Sequence, residues 1–198
     1  MIAPDTALDM SAFKHVVVPL GVVVGMGVAN IVSGVARMVS DRERVKMCWE
    51  HSVWMAALFL WFVLLWWIAW SLRLVPSEKW TFTTLIFLLI GPALLYLASA
   101  LILPAVPGKG ELDLGARFAV VGRPFFLCLI GAVAWLTIAG MWLGGEPFAT
   151  PARLNQTVGI ALLSVGVIRP TKRVSGVIGV LVLVILIGAA LTIRSKLK

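Results

Sequence analysis

No acidic residue falls inside any long hydrophobic run of this 198-residue chain. That absence removes the buried carboxylate around which most proton- or sodium-coupled transporters are built, because ionisable residues within a membrane are the usual markers of an ion path. Acidic residues are scarce altogether, 9 against 17 Lys and Arg, and charged residues make up only 13% of the chain. A soluble domain carries about 25%. With 61% hydrophobic residues and a mean hydropathy of +1.02, a water-soluble fold would leave an extensive apolar surface uncovered. The composition is that of a membrane protein.

Other absences narrow the chemistry. The two cysteines, Cys48 and Cys128, form no Cys-x-x-Cys pair, which implies no disulfide framework. There is no His-Glu-x-x-His, no Gly-x-Ser-x-Gly, no phosphate-binding Walker loop and no EF-hand loop. Gly25-x-Gly27 opens like a dinucleotide turn but lies in an apolar run with no strand before it. No cofactor is expected. No polar segment is long enough to fold as a nucleic-acid reader, and nucleic acid is excluded as a partner. The net charge of +8 is instead read as juxtamembrane Lys and Arg that set orientation and meet anionic lipid headgroups.

What is present is a series of spans. About 20 mostly apolar residues cross roughly 30 Å of hydrocarbon. Five runs meet that length without a charge: Val16–Ala36, Ser52–Leu72, Trp80–Leu103, Pro124–Gly144 and Val174–Ile193. A sixth, Leu154–Ile168, is short and begins on Asn155, Gln156 and Thr157; it either crosses or re-enters. The expected fold is a single all-α transmembrane domain, a polytopic bundle of about six spanning helices. The first run is too long for a secretory signal and follows Asp5 and Asp9 instead of a basic segment, so it is read as a retained helix.

With six crossings, Lys14, Arg73, Lys79, Arg153, Arg194, Lys196 and Lys198 share one side. Arg37, Arg42, Arg44, Lys46, Lys109, Arg117, Arg123, Arg169, Lys172 and Arg173 share the other. The positive-inside rule then turns the second set to the cytoplasm and both termini outward. Trp66, Trp67, Trp70, Trp80 and Trp142 fall at one interface and Trp49 and Trp54 at the other, an aromatic belt rather than a ligand cage. Asn155-Gln156-Thr157 matches a glycosylation pattern at the membrane edge and is read as coincidence.

A few residues stand out within the spans. Gly21, Gly25, Ala29 and Ser33 recur every four residues, a small-residue stripe for helix packing inside the bundle or, alternatively, for a homodimer seam. Asn30 beside it needs a hydrogen-bond partner on another helix or in water, because an unpaired amide in hydrocarbon costs several kcal/mol in principle. Trp61, Pro92, Tyr96 and Trp135 fall near mid-span and with Asn30 outline a candidate central cavity. Pro92 frees a carbonyl one turn earlier, and one of the indoles is expected to donate either to such a freed carbonyl or to Asn30. Cys48, His51 and Cys128 share a side, but without a carboxylate they make a poor metal set. Arg123-Pro124 reads as the start of the fourth helix, its arginine placed to meet phosphate.

His51, Trp66-Trp67, Trp80-Thr81-Phe82, Pro92, Leu95-Tyr96 and Pro104, followed by Asp113-Leu114 and Arg123-Pro124-Phe125-Phe126, resemble a pattern seen in a family of uncharacterised bacterial multi-pass proteins. The resemblance implies a six-helix protein of the bacterial inner membrane and carries no activity. The expectation is therefore an integral membrane protein, non-enzymatic, that acts through contacts with lipids, a second copy of itself or a membrane partner protein. Its working surface would be the basic face of Arg37, Arg42, Arg44, Lys46, Arg123, Arg169, Lys172 and Arg173. The alternatives are a carrier or channel for a small neutral or apolar solute using the central aromatics, and a lipid-modifying enzyme holding metal at the Cys48/His51/Cys128 face.

Overall fold

A computed structural model of the chain describes residues 4–46, 48–103, 112–145, 147 and 150–195. Six helices make up the fold: α1 (Pro4–Ser40), α2 (Trp49–Ala69), α3 (Phe82–Ile102), α4 (Leu114–Trp142), α5 (Pro151–Ile168) and α6 (Lys172–Ser195). All but α5 are long and apolar enough to cross a membrane. The connections are short, and consecutive helices reverse direction. One unforeseen feature joins two of them: a two-residue strand β1 (Val45–Lys46) pairs in parallel with β2 (Leu112–Asp113), tying the α1–α2 turn to the approach to α4. At the same end Lys172 lies over Gly115, which brings the start of α6 beside the start of α4. At the opposite end Lys79 donates to the carbonyl of Trp142 at 2.7 Å, a cation on the negative pole of α4.

The buried face of α1 is a seam: Phe13, Val16, Leu20, Val24, Gly27, Ile31, Gly34 and Met38. Spacings of three and four residues keep one stripe turned to the bundle, as in coiled-coil packing. The two glycines are where neighbours come closest. A Cβ on Gly27 would enter the Phe62 ring, and one on Gly34 would meet the Leu103 side chain at 2.7 Å. The small-residue stripe read from the sequence lies off this seam. Gly21 alone packs closely, against Trp66, while nothing lies within 4 Å of Gly25 and both Ala29 and Ser33 are exposed. Small residues surround α1, and periodicity by itself did not show which face has a large partner opposite.

The fourth helix also corrects the expectation. It begins at Leu114, ten residues before Pro124, which sits inside it. Asp113 accepts from the N–H groups of Gly115 (2.8 Å) and Ala116 (2.9 Å) and so supplies the cap that starts the helix early. The Ala116 N–H above all, with that of Gly115 and the nearby Lys172 and Lys46, holds the Asp113 carboxyl below its ordinary value of 3.8. A carboxylate depressed in the folded state contributes stability above its unfolded pKa and loses it as pH falls through the folded one. Asp113→Asn should therefore melt slightly below wild type at about pH 6, and the gap should narrow as pH falls below the ordinary carboxyl value of 3.8. Thermal melts across that range check this, and a constant gap would exclude the charge as the cause.

Helix α5 lies along α4 for its whole length. Thr137 donates to Gln156 at 2.9 Å near one end, Gly166 accepts the Phe126 ring, and Pro170 reaches Gly122 at the other end. Its two ends are thus at opposite faces of the bundle. Its first-turn Arg153 is buried and bonded to Gln156 at 2.7 Å, and Gln156 in turn accepts from Thr137. The polar start of this run is internal wiring between α4 and α5, which the sequence did not reveal.

Candidate functional site

The five residues of the expected central cavity resolve into contacts at different levels. Asn30 donates to the Ser99 hydroxyl at 2.9 Å, and Ser99 donates to the carbonyl of Tyr96 at 2.8 Å. This is a polar clasp between α1 and α3. Trp135 donates to the carbonyl of Phe87 at 2.6 Å and lies on the α3 backbone at Gly91, beside Pro92. The carbonyl that Pro92 leaves without an intrahelical donor belongs to Leu88; the indole reaches the one preceding it. Trp61 is buried within the core on α2. Gly91 and Ser99 are eight residues apart, about 12 Å along a helix. The polar groups join helices, and the concavities described below lie elsewhere, both at the basic end.

Trp54 departs from the interfacial belt. Its ring is 1% exposed, its Nε1 donates to Ser175 at 2.9 Å, and Phe125 and Phe126 stand edge-on to it at 4.9 and 5.6 Å. Phe118 completes this cluster at 5.9 Å from both phenylalanines. Only a hydroxyl from α6 makes burial of that indole affordable, and nothing local to Trp54 announces it. Trp66, Trp67, Trp70 and Trp142 remain about half exposed, as an interfacial ring should be. Arg73 sits 4.6 Å above the Trp70 ring.

At the basic end, Arg37, Arg42, Arg44, Lys46, Arg123, Arg169, Lys172 and Arg173 are all exposed. Lys109 of the same set lies outside the described residues, as do Lys196 and Lys198 of the opposite one. The turn from Val39 to Arg44 encloses a concavity of about 420 Å³ in which Arg42 and Arg44 alternate with Asp41 and Glu43. Arg123 lies two turns inside α4, next to the junction of α5 and α6 through the Gly122–Pro170 contact.

Beneath this surface the charged and polar groups are less well served. His51 in the first turn of α2 is 4% exposed, and its Nε2 has no hydrogen-bond partner among the described residues. Arg117 Nε is buried without one as well. Both line a cleft too tight to admit a water molecule, whose walls include Leu101, Ile102, Phe118 and Val121. Glu50 turns the other way, to Gly176 on α6 and to the Cys48 thiol. Burial, first of all, pushes the Cys48 thiol above its usual range, which keeps it a thiol and a poor nucleophile or ligand. Among the described residues, no three His, Cys, Asp or Glu side chains gather closely enough to hold a metal.

No family model, curated protein or solved structure matches the chain. Function has to be argued from its own residues.

Proposed function

We propose that this chain is a six-crossing protein of the bacterial inner membrane that works by contact, its basic end gathering anionic lipid headgroups on the cytoplasmic side. The observation that carries this reading is the exposure of eight cations at one end of the bundle. Helix α5 supports six crossings, since its 18 residues extend about 27 Å and its ends lie at opposite faces. Burial of Arg153 removes one cation from the opposite surface and strengthens the charge asymmetry. The outward face of α1, with Gly25, Ala29 and Ser33, is open to lipid or to a second copy. No specific observation favours a carrier, for at the level of Trp135 the α3 and α4 backbones are packed through Gly91.

Each Lys or Arg near an anionic surface is worth about 1 kcal/mol at physiological ionic strength. Replacing Arg169, Lys172 and Arg173 by glutamine should therefore lower the preference for phosphatidylglycerol over phosphatidylcholine by at least roughly fivefold. Native mass spectrometry of protein exchanged between nanodiscs of the two lipids measures that ratio. An unchanged ratio would remove the basic end as the working surface.

A further inference from the structure

Contacts to α4 hold helix α5 at a fixed depth. Thr137 donates to Gln156 at 2.9 Å, and Pro170, just past the end of α5, meets Gly122. Trp142, about half exposed in the aromatic belt, lies five residues beyond Thr137 on α4. Gln156 therefore sits about 7.5 Å inside that belt. Its neighbours Asn155 and Thr157 are exposed on the outside of the bundle. The Thr157 hydroxyl donates to the Arg153 carbonyl at 2.9 Å, but the Asn155 amide has no hydrogen-bond partner among the described residues. At the other end Arg169 closes α5, and Arg123, next to Gly122, is exposed at the same level. Phe125 packs on Trp54, so Arg123 also lies about 4.5 Å deeper than Trp49.

Between Asn155 and Arg169 the lipid-facing surface of α5 is thus only about 21 Å tall. Val158, Ala161, Val165 and Ile168 are its exposed side chains there. The other five helices supply spans of 21 to 29 residues, about 31 Å or more, which match roughly 30 Å of hydrocarbon. A bilayer meets a short apolar face by thinning, which brings water and headgroups to polar groups that hydrocarbon would leave unpaired.

Resting on the six-crossing reading above, we propose that the α5 flank thins the bilayer and passes phospholipid headgroups between leaflets, downhill and in either direction. What keeps a lipid in its leaflet is the cost of taking its polar headgroup through hydrocarbon, and the flank shortens that path by about a third. The Asn155 amide meets a headgroup at the outer end. One turn further in, Gly159 has nothing within 4 Å of where a Cβ would stand, which leaves the surface low. Arg123 and Arg169 receive the phosphate at the inner end, among the lipids that the basic surface gathers. The path runs along the outside of the bundle and needs no pore through its core.

The test reconstitutes the full chain in vesicles of phosphatidylethanolamine and phosphatidylglycerol carrying a trace of headgroup-labelled fluorescent phosphatidylethanolamine. Added dithionite bleaches the outer leaflet alone unless lipids cross. Wild type should bleach label from both leaflets. Asn155→Leu with Thr157→Val moves the polar boundary outward to the start of α5, about 6 Å, and should slow crossing by at least roughly threefold with helical circular dichroism unchanged. If that pair fails to fold, Asn155→Leu alone, at an exposed position, takes its place and should slow crossing in the same direction. Bleaching confined to the outer leaflet, or a variant as fast as wild type, overturns the flank; so does equal bleaching of a water-soluble dye trapped in the vesicles, which marks a leak. Phosphatidylglycerol preference that persists without crossing sinks the flank alone. Crossing that slows in the variant while replacement of Arg169, Lys172 and Arg173 leaves the preference unchanged supports the flank and removes only the basic end as the working surface.

Discussion

Trp54→Ala should be the most damaging single substitution in this protein, with an expected loss of about 3–5 kcal/mol. Three contributions act in the same direction. The cavity left among Phe118, Phe125 and Phe126 forfeits dispersion contacts that lipid cannot restore, because the ring is 1% exposed. Two edge-on aromatic pairs are lost, each worth about 0.5–1.5 kcal/mol beyond area. The Ser175 hydroxyl, also 1% exposed, loses its donor. Trp54→Phe separates the terms: it keeps most of the ring and removes only the interhelical bond, for which an average of about 0.6 kcal/mol is expected in a membrane protein. Ser175→Ala should cost about the same, and the double variant no more than either, since both remove one interaction. Circular dichroism during titration of the purified protein from mild detergent into dodecyl sulfate gives these differences. A Trp54→Phe loss as large as that of Trp54→Ala would place the energy in the hydrogen bond instead of the packing.

Gly91→Ala is the second, and two effects of opposite sign compete in it. Alanine in a helix interior is favoured over glycine by about 1 kcal/mol. Against this, the new methyl would enter the Trp135 ring, and overpacking costs typically about 1–3 kcal/mol. The clash should win because the indole cannot retreat freely. Its Nε1 is held by the Phe87 carbonyl, and its ring sits 6.1 Å from that of Phe87. The expected result is net destabilisation, with α3 and α4 pushed apart along their closest seam. Trp135→Leu removes the obstacle, so adding Gly91→Ala to it should be neutral or stabilising, a coupling of at least about 1 kcal/mol within the usual range for touching residues. Simple additivity of the two changes would show that Trp135 does not rest on Gly91.

Much of the candidate site was legible because of exposure. Lys and Arg between apolar runs have nowhere to go but the membrane surface, and all eight named cations lie there. Buried polar residues were less readable, since their meaning depends on a partner far along the chain. Asn30 and Ser99 are 69 residues apart, and Trp54 and Ser175 are 121 apart. His51 resembled half of a metal site, yet the cleft it lines holds Arg117 and apolar side chains, and no three candidate ligands gather among the described residues. Arg153 was counted among interfacial charges and is wired inside through Gln156.

The sequence by itself determined that this is a helical protein with five apolar, charge-free runs of spanning length and a sixth short one, and that cations concentrate between them. Those properties follow from composition and run length, for hydrocarbon selects helices that satisfy their own backbone and repels charge. Tertiary structure alone decided which face of each helix is inside. On α1, glycine and valine occur on every side, and only the positions of Phe62 and Leu103 select the Gly27–Gly34 seam over the Gly25–Ala29–Ser33 stripe. In lipid, apolarity no longer distinguishes inside from outside. Shape complementarity and a few distant hydrogen bonds make that choice instead, and neither can be read from local pattern.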